Sequence, residues 1–231
     1  HDRILKKIKF YIDKNSTWLT VGDGRYGTDA HFIIKNGGNA HATDISDTLL
    51  KIGSDRGYIN TYSAQNAENL KFEDNSFDYV LIKSAFHHFP RPWIALHEAF
   101  RVARKAVILI EPSDNPSIFW TFKGVVKKIL GKSGNYGFEK VGNFIYRINR
   151  KELEKFLLGM NYRDIAFNKV IDKYTSGVEF EKKQNLSNKG KLLYLNIKLR
   201  ISYVQILNFL RIDDGGLLIA ALFKEKPNEN K

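Results

Sequence analysis

The chain has 231 residues, of which 43% are hydrophobic and 13% aromatic, so it can bury a core and is not intrinsically disordered. It contains no cysteine, which excludes disulfides, thiolate metal ligands and a cysteine nucleophile. The formal net charge is +12, and residues 120–211 account for it with 19 Lys and Arg against 7 Asp and Glu.

The basic segment 120–211 allows two interpretations of equal weight. It is either a solvated lysine-rich surface or a patch that attracts phosphate, nucleic acid or an anionic lipid surface. No apolar run approaches the roughly 20 residues of a membrane-spanning helix, and the absence of cysteine fits a cytosolic protein. We therefore expect a cytoplasmic protein. Its basic segment can bring it to a membrane surface, where it would be a peripheral protein.

Short apolar runs alternate with helical patterns along the chain, which predicts a parallel α/β sheet. The first strand is predicted near Trp18–Val21, and the second ends at Asp44. Between them the glycine-rich turn Gly22–Gly27 leads into a helix that should stop at Gly37-Gly38. Ser46 is predicted to be the N-cap of the helix that follows the second strand.

The middle of the chain contains three further strand patterns, predicted at Tyr58–Ser63, Phe77–Lys83 and Ala106–Ile110. Pro92 suits the first turn of a helix between the last two strands. The predicted buried stripe of that helix consists of Trp93, Leu96, Phe100 and Ala103.

In the C-terminal part, Asn149 is predicted to cap a helix, and two strands are predicted at Ile165–Ile171 and Leu217–Phe223. A turn at residues 213–216 precedes the last strand. Segments 113–147 and 175–212 fit this alternation poorly. In segment 175–212, apolar residues alternate from 195 to 203 as in a strand, but the length of the segment favours a helix. Periodicity alone leaves both alternatives open.

The pattern Gly22-x-Gly24-x-x-Gly27 follows a strand and opens a helix, where glycine lets a ligand approach the backbone closely. Asp44, 20 residues after Gly24, can accept hydrogen bonds from both hydroxyls of a ribose. Together these features favour an adenosine-containing ligand. They do not distinguish S-adenosylmethionine from a nicotinamide cofactor, because dehydrogenases use the same pattern.

Three later segments decide between these ligands. The chain has "NAENLKF" at 66–72, "DNSFDYV" at 74–80 and "SAFHHF" at 84–89. In this order, and with the glycine turn and Asp44 upstream, they resemble class I S-adenosylmethionine-dependent methyltransferases, in particular the small-molecule, type 11 branch. The resemblance covers residues 15–112, with weaker similarity at 149–172 and 215–224. It implies a Rossmann-like, mostly parallel seven-stranded sheet with helices on both faces and an antiparallel last strand.

The resemblance also implies which residues bind S-adenosylmethionine. Asp44 would hold the ribose hydroxyls and Ile45 would pack on the adenine face. Asn66 and Ala67 would meet the adenine edge, through a side chain and a backbone amide respectively. The full set of implied donor-binding residues is Gly22, Asp23, Gly24, Asp44, Ile45, Asn66, Ala67, Glu68, Lys83 and Ser84.

Within that set, Gly22 and Gly24 would lie against the amino-acid part of the donor, and Lys83 and Ser84 would border its carboxylate or methyl group. His87 and His88 would lie near the transfer point, where either could be a general base because histidine titrates near neutral pH. The alternative is that one histidine only hydrogen-bonds within the loop. No metal site is expected, because adjacent residues rarely face one ion.

The sequence departs from the family pattern at three positions. Thr20 replaces the acid that usually precedes the first glycine by two residues, and Asp23 is a candidate substitute for it. Tyr26 stands where the tight form of the turn has its third glycine. Asn66 replaces the usual adenine-contacting acid, and its amide oxygen can still accept from an exocyclic amine.

We predict one domain over residues 1–231, with the donor core at 15–112, an acceptor lid rich in aromatic residues at 113–148 and an insertion at 175–212. The implied activity is methyl transfer to a small molecule, a sugar or a lipid-like acceptor, which is anionic or membrane-associated if the basic segment takes part. The altered motif positions motivate an alternative, a non-catalytic methyltransferase-like domain that binds a ligand or a partner. A nucleic-acid methyltransferase and a nicotinamide oxidoreductase are less favoured.

Overall fold

The computed structural model describes residues 2–114, 144–170, 194–196, 199, 202, 206 and 216–224. The chain forms two compact units. The first comprises His1–Pro112, Tyr136–Asn168 and Leu218–Lys231, and the second comprises Ser113–Asn135 and Lys169–Leu217. The donor core expected at 15–112 lies in the first unit, while the single-domain organisation stays a prediction.

The described residues include short helical turns, seven strands and four longer helices. Short helical turns occur at the amino terminus, where α1 (Asp2–Leu5) leads into the 3₁₀ helix Lys6–Tyr11, and at the 3₁₀ turn Phe86–His88. The strands are β1 (Thr17–Val21), β2 (Asn39–Asp44), β3 (Thr61–Ala64), β4 (Phe77–Lys83), β5 (Ala103–Pro112), β6 (Ile165–Val170) and β7 (Leu217–Phe223). The remaining helices are α2 (Thr28–Lys35), α3 (Thr48–Asp55), α4 (Pro92–Val102) and α5 (Arg150–Gly159).

The strands form one seven-stranded sheet in the order β3-β2-β1-β4-β5-β7-β6. The pairs from β3 to β5 are all parallel. Strand β7 runs the other way: the Lys224 amide donates to the Lys105 carbonyl, and the Ser113 amide donates to the Gly216 carbonyl. The predicted Rossmann-like sheet with an antiparallel last strand is therefore confirmed.

Both faces of the central strands are buried, as a parallel sheet between helices requires. Alternate residues such as Leu19, Val80 and Val107 join a core cluster that also contains side chains of α4 and α5. The residues between them, such as Trp18 and Leu81, are at most 1% exposed on the opposite face. This burial on both faces explains why these strands are continuous apolar runs in the sequence.

Three predicted boundaries differ from the structure. The helix after β2 begins at Thr48 with Asp47 as N-cap, although the Ser46 hydroxyl still accepts the Thr48 amide. Ala103 is extended and begins β5 directly after α4, because a buried alanine suits a helix end and a strand start equally. Strand β3 begins at Thr61, since the Tyr58 amide still donates to Gly53 at the end of α3.

The C-terminal predictions have mixed outcomes. Asn149 caps α5 as predicted, through a reciprocal pair of hydrogen bonds with Glu152. The described residues between 194 and 206 are helical, which favours the helical alternative for that part of the insertion. The turn at 213–215 and most of the proposed lid lie outside the described residues. None of the described helices is long and apolar enough to cross a membrane.

Gly53 allows α3 to pack against the glycine-rich turn. A Cβ atom at this position would collide with the carbonyl oxygen of Tyr26, whose own φ is +61°. Backbone cannot move aside as the end of a flexible side chain can, so the contact requires glycine. By contrast, Gly159 at the end of α5 has open space where a Cβ would be.

We predict that Gly53→Ala destabilises the protein by about 1–3 kcal/mol, because overpacking outweighs the gain in helix propensity. Gly159→Ala is the matched control and should change the free energy of unfolding by less than about 1 kcal/mol, in the stabilising direction. Urea denaturation of the two variants measures the difference. Equal stability of both would contradict the close packing at Gly53.

Candidate active site

A cavity of about 400 Å³ opens at the carboxyl ends of β1, β2 and β4. Parallel pairing brings these strand ends to one edge of the sheet, where α/β folds bind their ligands. The cavity is lined by Val21, Gly22, Asp44, Ile45, Gln65, Asn66, Ala67, Glu68, Ser84, Ala85, His88, Phe89 and Pro90.

The glycine-rich turn forms one wall of this cavity. Gly22 has a φ of +77°, and its amide donates to the Thr43 carbonyl at 2.9 Å. A Cβ at Gly22 would overlap the Ala85 side chain, so the turn and the loop after β4 are in direct contact. Gly24 does not line the cavity, but a Cβ there would lie 2.7 Å from an Asp44 carboxylate oxygen. Glycine at 24 thus leaves room for the Asp44 carboxylate.

Asp44 and a bend at residues 65–69 form the opposite wall. The Asp44 carbonyl accepts the Gln65 amide at 2.7 Å, which joins the two segments. In the bend, the Asn66 side-chain oxygen accepts the Glu68 amide at 2.9 Å. One lone pair of the oxygen that we expected to face adenine is therefore already used, and one remains. Ile45 lies beside Asp44 and is 74% exposed, so it can pack on a flat ligand.

Glu68 and Arg91 form an ion pair at the rim of the cavity. The Glu68 carboxylate accepts from the Arg91 amide at 2.7 Å and from its Nε at 2.6 Å. Arg91 therefore holds the Glu68 carboxylate at the rim of the cavity.

Asp23 lies outside the cavity, contrary to the expectation that it contacts the donor. It is 3% exposed, and its carboxylate accepts the amides of Asp29 and Ala30 and the Thr20 hydroxyl. Asp23 therefore stabilises the start of α2 from inside the protein. Burial, together with the nearby Asp29 carboxylate, raises the pKa of Asp23 to about 7.

Lys83 also points away from the cavity. Its ammonium lies 3.2 Å from the Asp29 carboxylate, and both side chains are nearly buried. Burial raises the pKa of Asp29, and Lys83 opposes this effect. Lys83 therefore compensates the buried acids behind the glycine turn, and of the two residues predicted at the end of β4 only Ser84 reaches the cavity.

The loop after β4 forms the third wall and separates the two predicted histidines. His87 is 7% exposed, and its Nδ1 lies 2.6 Å from a Glu111 carboxylate oxygen. His88 lines the cavity, and its ring centroid lies 4.0 Å from that of His87. Among the described residues, no group of three or more His, Asp or Glu side chains could hold a metal ion.

Sequence analysis missed six residues of this site, counting Glu111. The other five lie within two positions of predicted residues, so the neighbouring motifs could have indicated them: Val21, Gln65, Ala85, Phe89 and Pro90. Glu111 ends β5, at the same edge of the sheet as Asp44. A strand-ending acid could have been noted, but its buried partners are visible only in the structure.

Comparisons with known proteins identify the family. Residues 19–110 match a family profile described as a methyltransferase domain. The ubiquinone/menaquinone biosynthesis C-methyltransferase UbiE of Bartonella bacilliformis is 33% identical over 180 residues, which are 60% of this chain and 69% of that protein. The chain belongs to the class I, type 11 S-adenosylmethionine-dependent methyltransferases. S-Adenosylmethionine is the methyl donor of this family.

Other relatives and solved structures agree. The protein of the same name from Rhizobium meliloti is 28% identical over 69% of this chain and 68% of its own length. The chain spans 60% and 39% of the length of two further relatives of that name, from Rhizobium rhizogenes and Sinorhizobium fredii. A methyltransferase structure from Archaeoglobus fulgidus has a TM-score of 0.59 at 16% identity, over 96% of this chain and 91% of that one.

The residues of the cavity fit the adenosyl part of the donor. A strand-ending carboxylate suits ribose hydroxyls, and each charge-assisted hydrogen bond contributes about 1.5–3 kcal/mol.

We predict that Asp44→Ala weakens binding of S-adenosylhomocysteine by at least about 10-fold. Asp47→Ala, three residues later on the exposed start of α3, should bind it as the wild type does. Calorimetry compares the two, and unchanged affinity of the Asp44 variant would contradict the site.

The raised pKa of Asp23 predicts a pH-dependent stability. The folded protein keeps the Asp23 proton up to about pH 7, whereas the unfolded chain releases it near 3.8. The free energy of unfolding contributed by this group therefore falls as pH rises from about 4 to about 7. In Asp23→Asn this fall should disappear, whereas Asp47→Asn should keep it. Urea denaturation at several pH values measures both, and identical pH profiles of Asp23→Asn and wild type would refute the assignment.

Proposed function

We propose that this protein transfers a methyl group from S-adenosylmethionine to a small, lipid-like acceptor at the cavity between the glycine turn, Asp44 and the loop after β4. The observation that carries the proposal is the shared cavity, because a ribose-binding acid, an adenine-facing bend and a histidine-bearing loop all border it. A domain that only bound a partner would not need these three walls to converge.

The chemistry asks little of the protein beyond positioning. The donor supplies an electrophilic methyl group, and the protein has to orient the acceptor in line with it and exclude water. Ala85, Phe89 and Pro90 provide an apolar border of the cavity beside His88, where we place the acceptor. His88 is placed to take a proton from the acceptor if its nucleophilic atom has to lose one.

Two observations support a lipid-like acceptor over a sugar or a nucleic acid. The cavity border next to His88 is apolar, and the curated relatives carry names that refer to ubiquinone and menaquinone biosynthesis. Quinones of this kind are reduced to hydroquinones, which have ring carbons and hydroxyls that a methyl group can reach. We therefore use a polyprenyl hydroquinone as the first acceptor probe.

The test uses the full chain, S-adenosylmethionine with a labelled methyl group, and the hydroquinone probe in detergent. We expect label in the probe and stoichiometric S-adenosylhomocysteine, with both abolished in Asp44→Ala at donor concentrations that saturate the wild type. Donor binding without transfer to the hydroquinone, to a sugar panel or to RNA would favour the non-catalytic alternative. Stabilisation by NAD and not by S-adenosylhomocysteine would overturn the proposal altogether.

We further propose that the protein meets this acceptor as a peripheral protein at an anionic, cytoplasmic membrane surface. Residues 182–211 contain seven Lys and Arg and no acid. Within them, Leu195, Leu199 and Ile206 lie in helical structure and are 52%, 63% and 57% exposed. In the sequence they are spaced by four and seven residues, which is the spacing of an apolar helix face. Exposed leucines combined with lysines suit an interface of acyl chains and anionic headgroups.

Vesicle co-sedimentation tests this placement. We expect the protein to bind vesicles with anionic lipid, to lose binding at high salt and to ignore purely zwitterionic vesicles. Replacing Leu195 and Leu199 together by serine should weaken binding by at least about 10-fold, since each leucine buries apolar area. Leu158→Ser, at a leucine of α5 that is 59% exposed, is the control and should bind normally. Equal binding of both variants would contradict the proposal.

A further inference from the structure

Glu111 is the most deeply buried acid among the described residues that border the site, with no exposed surface. One of its oxygens accepts the amides of Ala85 and Phe86 at 2.9 and 3.0 Å. Its other oxygen lies 2.6 Å from Nδ1 of His87. A buried carboxylate is costly unless donors compensate it, and these contacts supply three.

The two amides that Glu111 holds belong to the wall of the cavity. Ala85 packs directly against Gly22 of the donor-binding turn. Ser84, just before it, has a φ of +51°, and its amide donates to the Ile110 carbonyl next to Glu111. A non-glycine residue keeps such a backbone only when its surroundings impose it. The end of β5 therefore determines the course of the loop.

The contact with Glu111 also gives the two histidines different roles. Amide hydrogens can only donate, so the Glu111 oxygen that they contact is an acceptor. If the other oxygen is also unprotonated, His87 must carry a hydrogen on Nδ1 and donate it. Nδ1 of His87 is then engaged in the interior, while His88, whose ring centroid lies 4.0 Å from that of His87, lines the cavity. The His87 carbonyl in turn accepts the Tyr146 amide at 3.4 Å.

We propose that Glu111 is a positioning residue for methyl transfer: its carboxylate fixes the loop after β4 and holds His87 protonated at Nδ1, so that His88 is presented to the acceptor. Glu111 itself touches neither donor nor acceptor. His87 is accordingly an anchor for the loop, and only His88 remains as a candidate base. The expected effect on kcat rests on the proposed function. The expected conformation of the loop and the position of the His87 hydrogen do not.

The decisive variant is Glu111→Gln, which keeps the size of the side chain. The glutamine oxygen can still accept the amides of Ala85 and Phe86, whereas its NH₂ group would face His87. His87 must then give up the Nδ1 hydrogen and become an acceptor there, with its hydrogen on Nε2. A long-range ¹H–¹⁵N spectrum of protein labelled at histidine distinguishes these forms, and His87→Gln assigns the signal.

We expect the His87 signal to change from the Nδ1-protonated to the Nε2-protonated form in Glu111→Gln. Affinity for S-adenosylhomocysteine should stay within about threefold, since the amides remain held. With the hydroquinone probe, kcat should fall about 10- to 100-fold at unchanged KM for the donor, because small misplacements at a transfer point have effects of that size. Glu154→Gln, a partly exposed acid paired with Arg150, should change none of these quantities.

An unchanged His87 signal in Glu111→Gln would overturn the proposal, and so would wild-type kcat in a variant whose signal had changed. If Glu111→Gln does not fold, the same spectrum is recorded on the wild-type protein. A wild-type His87 without a hydrogen on Nδ1 would also overturn the proposal. Failure of the proposed methyl transfer is a separate result, because it appears as missing donor binding or missing product in the wild type, whatever the state of His87.

Discussion

The site depends on the parallel pairing of β1, β2 and β4, because only that arrangement brings three strand ends to the same edge of the sheet. Gly22 follows the first strand, Asp44 ends the second and Ser84 follows the fourth. Residues that are 22 to 62 positions apart in sequence thereby share one cavity. The sheet is buried on both faces and fixes the distances between these residues. The loops that carry them then need only a few nearby hydrogen bonds to hold their conformation.

Two sets of buried acids provide those constraints behind the cavity. Asp23 and Asp29, with Lys83, stabilise the start of α2, and Glu111 stabilises the loop after β4. Each set uses backbone amides as donors, so each ties the course of the chain to the oxygens of a buried acid. Most of the residues that line the cavity are uncharged, with Asp44, Glu68 and His88 as the ionisable ones.

In the function proposed above, the apolar cavity border and the basic C-terminal segment would both serve a lipid-like acceptor. A lipid-like molecule partitions into a membrane, so an enzyme that acts on it benefits from residence at the membrane surface. Leu195, Leu199 and Ile206 supply exposed apolar area next to lysines that are unmatched by acids in the sequence. Membrane association would raise the local concentration of acceptor without any change in the donor site.

The sequence by itself determined the order of most helices and strands along the chain, the bounds of β4 and β7 and the cap of α5, because these follow from local periodicity and capping residues. Gly22 and Asp44 followed from a short motif and its spacing, and the resemblance to a family of methyltransferases implied Asn66 and Ser84. The sequence could not determine the direction of side chains at strand ends. Asp23, Lys83 and His87 point inward, because buried partners compensate their polarity. The partners of Asp23 are local, whereas those of Lys83 and His87 are far away in the sequence. Tertiary structure alone decided this, because a hydrogen bond such as that between Glu111 and His87 joins residues that no local pattern relates.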